Sequence, residues 1–179
     1  MWTTPLTPYQ LWTSFVTFSP DSKMFYAPSQ VGDPSNENPG ITAYNAATGN
    51  QTWAYEGVGS FSAQSLGVTP DSTTLIAGNT DGFVYALKAD TGAIKWIFNA
   101  GGSITSRLQF VQSAGSVHVY VTCANGVVYA LDTTDGTEHW SYRTGYPIEG
   151  SVAVTTPNAT CSKRVYFGAD DGRLYSLAA

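Results

Sequence analysis

The chain has 179 residues, of which only 12% are charged, and a formal net charge of −5 at pH 7. That length suits one domain with a real core. The eight Lys and Arg are scattered apart from Lys163-Arg164, which disfavours nucleic acid and anionic membranes as partners, because a phosphate backbone needs clustered cations.

In chain order, Met1-Trp2 runs straight into Thr- and Pro-rich sequence without a basic-then-apolar leader, so the sequence reads as cytosolic or as a mature or excised piece. No apolar run approaches the roughly 18 residues of a membrane span. Trp2 stands 18 residues before Pro20, much as Trp53 stands 17 before Pro70. A strand over residues 1–8 is therefore expected to match the strand that carries Trp53.

Four units follow, near residues 11–57, 60–100, 103–144 and 148–179. The first carries an insertion centred on Gly32–Gly40. Each later unit repeats one pattern. Thr74-Leu-Ile-Ala leads through Asp81-Gly82 to Phe83-Val-Tyr-Ala-Leu; Val117-His-Val-Tyr-Val leads through Asn125-Gly126 to Val127-Val-Tyr-Ala-Leu; Arg164-Val-Tyr-Phe leads through Asp171-Gly172 to Arg173-Leu-Tyr-Ser-Leu. Asp-Gly or Asn-Gly between β-rich runs predicts a hairpin with a type I′ turn. A second turn follows in three units, where Ala43, Ala86 and Ala130 are each followed six residues later by Gly49, Gly92 and Gly136, and four residues after that by Trp53, Trp96 and Trp140. These tryptophans lie 43 and 44 residues apart, which marks a repeat architecture. With one more strand ahead of each first hairpin, such as Gly150-Ser-Val-Ala-Val-Thr, every unit has four short antiparallel strands, A to D. The expected fold is all-β: a β-propeller segment of about four blades in the order D-ABCD-ABCD-ABCD-ABC.

The Ala-x-Asp-x-x-Thr-Gly-x-x-x-Trp pattern resembles the tryptophan-docking motif of the pyrroloquinoline-quinone-like repeat family, over essentially the whole chain. The resemblance implies that Trp53, Trp96 and Trp140, and Trp2 by phase, stack on the neighbouring blade, with Gly49, Gly92 and Gly136 in the turns. Asn45 and Lys88 depart from the usual Asp, which Asp132 keeps, and Asp135 replaces Thr. The signatures of WD40 blades, Gly-His and a terminal Trp-Asp, are absent from this sequence.

Candidate chemistry is sparse. His118 alternates with Val117, Val119 and Val121, and His139 precedes a motif tryptophan; neither has partners at metal or triad spacing. Asp81, Asp90, Asp135 and Asp171 sit in turns, where a short carboxylate bonds its own backbone. The run Asp132–Glu138 lacks the ligand spacing of a calcium loop. Quinone-dependent enzymes of the family carry vicinal cysteines and calcium-binding carboxylates, which have no counterpart here, and members lacking them are often scaffolds. The expected function is thus a non-catalytic interaction or self-assembly module without a cofactor, its partner a protein or a second copy, with strand complementation between its termini. A fragment of a quinoprotein dehydrogenase and a carbohydrate-binding propeller are the alternatives. Cys123 and Cys161 define no disulfide framework. The sequons at Asn50 and Asn158, with Asn158 the more accessible, point to an extracellular or periplasmic address.

Overall fold

A computed structural model describes residues 16–28, 40–113, 115–155 and 163–179. Residues 1–8 with Trp2, for which a strand is expected, the insertion around residues 32–39, Cys161 and Asn158 therefore lie outside the described residues. The described part is all-β, with fifteen strands in four antiparallel sheets. The first sheet takes β1 (Thr17–Phe18), β2 (Met24–Pro28), β3 (Gly40–Asn45) and β4 (Gln51–Glu56). The second takes β5 (Phe61–Val68), β6 (Thr74–Asn79), β7 (Phe83–Lys88) and β8 (Ile94–Asn99). The third takes β9 (Gln109–Ser113), β10 (Ser116–Cys123), β11 (Val127–Asp132) and β12 (Glu138–Arg143). The fourth takes β13 (Ala153–Val154), β14 (Arg164–Gly168) and β15 (Leu174–Ala178). In every sheet the strands pair in chain order, so local turns alone build each unit.

The registers repeat. Gly78 opposes Val84, Thr122 opposes Val128 and Gly168 opposes Leu174. A bulge interrupts the third and fourth strands of each complete sheet at the same place, Ala43/Tyr44, Ala86/Leu87 and Ala130/Leu131. The extra residue re-aims the chain into a turn that ends on Gly49, Gly92 or Gly136, all at positive φ of 72–77°.

The Asp-Gly and Asn-Gly hairpins are not type I′ turns. Only the glycine is left-handed (Gly82 at φ 91°, Gly126 at 83°, Gly172 at 76°), and Asp81, Asn125 and Asp171 are not among the positive-φ residues. Instead the side-chain oxygen accepts the backbone N–H two residues on, at 2.9 Å for Asp81, 3.1 Å for Asn125 and 3.0 Å for Asp171. That local bond holds the residue in a right-handed turn and leaves the glycine to absorb the reversal.

The core is divided among the spaces between consecutive sheets. Alternate residues of one strand serve opposite neighbours: Leu75, Ala77, Tyr85 and Leu87 pack with Tyr26, Ile41 and Trp53 of the first sheet, whereas Ile76, Val84, Ala86 and Trp96 pack with Val119, Val121 and Leu131 of the third. A third cluster joins Tyr120, Val128 and Ala130 to Val165 and Phe167 of the fourth. Because a sheet presents successive side chains to opposite faces, each inner sheet is apolar on both sides.

Candidate interaction surface

The indoles reach across these sheet-to-sheet spaces. Trp53 donates its Nε1–H to the carbonyl of Ala89 at 3.0 Å, in the turn between β7 and β8, and Trp96 donates to Thr133 at 3.1 Å, in the turn between β11 and β12. The glycine of each receiving turn lies under the indole: a Cβ built on Gly92 would come 2.6 Å from Cε3 of Trp53, and one on Gly136 would come 2.7 Å from Cδ2 of Trp96. The carbonyl of Ala89 accepts a second bond, from the Tyr26 hydroxyl at 3.1 Å. Burial, reinforced by Asp21 and Asp90, pushes the Tyr26 phenol up to about 12. Trp140 occupies the same place in β12, but its Nε1–H is buried without a hydrogen-bond partner among the described residues. The residue matching Ala89 and Thr133 is there Ala179.

Residues 36–179 match the family model described as outer membrane protein assembly factor BamB. The chain belongs to this PQQ-like repeat family. It is 29% identical over 145 residues to BamB of Yersinia pestis, covering 76% of the chain and 36% of that relative. Among solved structures it is similar to BamB from Moraxella catarrhalis (TM-score 0.70, 20% identity, 90% of this chain and 45% of that one). It is also similar to the Dos1 propeller (TM-score 0.67, 18% identity, 92% and 47%) and to the computationally designed Ika4 protein (TM-score 0.65, 16% identity, 91% and 88%). The chain thus spans about a third of its Yersinia relative and under half of the BamB and Dos1 structures.

On this PQQ-like arc, most of the carboxylates singled out in the sequence are committed to local turns. Asp132 accepts the N–H of Thr134 at 2.7 Å and Asp135 that of Thr137 at 2.9 Å. Backbone and side-chain bonds from Thr137 hold Asp135 below its ordinary value. Asp81 and Asp171 also accept the hydroxyls of Tyr85 (2.5 Å) and Tyr175 (2.6 Å), with Tyr175 bringing the Asp171 carboxyl down. Among the described residues no group of three or more His, Cys, Asp or Glu is placed to hold a metal ion. Cys123 is a buried free thiol, and burial raises it. Asn50 is exposed beside its turn.

Three features were not anticipated from the sequence. His118 and His139 stack, ring centroids 4.7 Å apart, and burial followed by the neighbouring His139 lowers His118. Ser22 and Ser72 hold positive φ of 60° and 62° in matching Pro-Asp-Ser turns, where Asp21 and Asp71 accept the hydroxyls of Ser19 and Thr69 at 2.7 and 2.6 Å. The recurring Pro-Asp-Ser at 20–22 and 70–72 was the available signal. Finally, an open cavity of about 690 Å³ is bounded by Val16, Phe18, Leu66, Phe110, Arg107 and Ser151, from or beside the first strand of each sheet.

Proposed function

We propose that this chain is a non-catalytic propeller module whose work is protein association, including association with itself. The observation that carries the reading is the fourth sheet: it has three strands among the described residues where the other sheets have four, so the outer edge of β15 has no described partner. Strand edges of that kind recruit another strand. The segment around Trp2 has the matching position in the repeat, and pairing it with β15 of a second copy would complete the blade by strand complementation. Likeness to BamB, by its name an outer membrane protein assembly factor, supports a protein partner and a periplasmic or extracellular address. In a host that glycosylates its secreted proteins, the exposed Asn50 and the sequon at Asn158 become acceptor sites. The tryptophan contacts serve to dock one blade on the next, and so set the rigidity of the surface.

Two measurements test this. Added pyrroloquinoline quinone and calcium are expected to give no dye-reducing activity; turnover would overturn the non-catalytic reading in favour of a quinoprotein dehydrogenase. Deleting residues 1–6 is expected to abolish association in light scattering while the β-sheet circular dichroism persists. Undiminished association would overturn strand complementation.

A further inference from the structure

The repeat supplies its own control for what a blade face needs. Val84 and Val128 occupy one register position in the second and third sheets, and each is fully buried (0% exposed) against the sheet that follows. Leu174 occupies that position in the fourth sheet and is 78% exposed. The opposite end of the arc repeats the anomaly. By strand register Phe18 matches Val68 and Phe110, and Val16 matches Leu66 and Leu108. Leu66, Val68 and Leu108 are 6%, 8% and 5% exposed, packed into the sheet-to-sheet clusters, while Val16 and Phe18 are 45% and 57% exposed. Among the described residues, large apolar side chains are thus left exposed at both ends, at positions that the internal interfaces bury or, at Phe110, half-bury.

We infer that these two faces are the halves of one interface, joined between two copies of this chain: the Leu174 face of one copy covers the Val16–Phe18 face of the other. The inference deepens the self-association proposed above and rests on it. Three observations select the occupant. The surface that covers Val84 and Val128 is the leading face of a sheet of this same repeat, and a second copy carries such a face. Among the described residues the two ends of one chain do not cover each other, since Val16, Phe18 and Leu174 all remain exposed. These 179 residues span 45% of the BamB structure and 47% of the Dos1 propeller, so a second set of the same 179 residues supplies about the number of blades needed for one such ring. Both contacts then form at once, and the head-to-tail interface closes after two copies rather than running on as a filament.

The test uses the intact 179-residue chain in sedimentation equilibrium. The expected result is a species of twice the 19.1 kDa chain mass. Leu174→Asp and Phe18→Asp each place a charge where the surface is open, so neither should alter β-sheet content. Each is expected to weaken the pair by at least about tenfold in dissociation constant. A folded monomer for the parent chain, or a pair indifferent to both substitutions, would overturn the inference. Polydisperse species growing with concentration would overturn the closed pair. Deletion of residues 1–6 separates the two ideas: if it dissociates the pair while both face substitutions do not, strand complementation stands and the face pairing fails.

Discussion

Trp53 lies against Gly92 so closely that no side chain fits between them: a Cβ on Gly92 would meet Cε3, Cδ2 and Cζ3 of the indole at 2.6, 2.8 and 3.1 Å. The glycine is also left-handed, at φ 72°. One residue thus answers two demands, a turn reversal and a flat seat for the neighbouring sheet, and the recurrence of glycine at this turn follows from both.

Gly92→Ala should therefore cost more than a left-handed glycine does elsewhere. Gly172 is the control, at φ 76° with no atom within 4 Å of a built Cβ. Alanine there carries only the backbone penalty, about 1 kcal/mol. At Gly92 the indole must also be displaced, which adds about 1–3 kcal/mol. Urea midpoints of the two variants measure the difference, and equal midpoints would show that the indole yields freely.

The tryptophans should rank by what receives them. Trp96 is 8% exposed, bonded to Thr133 and seated on Gly136, so Trp96→Ala is expected to cost about 3–5 kcal/mol. Among the described residues Trp140 has neither a bonded Nε1–H nor a glycine seat of that kind in the fourth sheet, and Trp140→Ala is expected to cost about 1–2 kcal/mol less. Thermal unfolding of both variants decides it, and a larger loss at Trp140 would refute the ranking.

Much of this was legible because the signals are local. Asp-Gly and Asn-Gly mark where the chain reverses, and the interval from Ala86 to Gly92 to Trp96 marks where the next sheet lies, since both are set by turns within one unit. The turn type was not legible, because a type I′ turn and a turn capped by the Asp81 side chain use the same dipeptide. Tyr26 could not be assigned from sequence either. Its partner, the Ala89 carbonyl, is 63 residues away and is shared with Trp53. The stacking of His118 on His139 joins β10 to β12 across β11, a neighbourhood that residue spacing alone does not specify. The exposure of Leu174 was beyond reach as well, since its own segment reads like those of Val84 and Val128.

Acid should act through the histidine stack. His118 is 8% exposed and lies 3.2 Å from the Ser116 hydroxyl; burial and His139 lower it, Asp132 opposes them, and Lys163 adds to the lowering. A histidine with a depressed folded value binds its proton more readily when unfolded. It contributes stability above about pH 6.5 that is lost as pH falls toward and through the folded value. His118→Gln is expected to flatten the pH dependence of the urea midpoint between pH 7 and 5. An unchanged slope would place the acid sensitivity elsewhere.

Alkali should act through Tyr26. Its side chain is fully buried at 0% exposure between the first two sheets, its hydroxyl donates to Ala89, and its value stands at about 12 against 10.0 for a free phenol. The unfolded chain loses this proton first as pH rises. The contribution of Tyr26 is accordingly complete below pH 10 and declines from there until it is lost as pH passes through about 12, a span worth on the order of 2–3 kcal/mol. Burial also raises Tyr85, helped by its bond to Asp81, so the two phenols weaken the same sheet-to-sheet space in the same direction. Tyr26→Phe removes one hydrogen bond, at a cost of about 1 kcal/mol at neutral pH. It leaves the ring in place beside Trp53, with which it makes a tilted contact at 5.8 Å. The variant should therefore start less stable at pH 8 and lose less between pH 10 and 12, so that the two curves converge. Urea midpoints across that range, followed alongside tyrosinate absorbance, give the comparison. Parallel curves for parent and variant would mean that the Tyr26 phenol ionises no later than a free one.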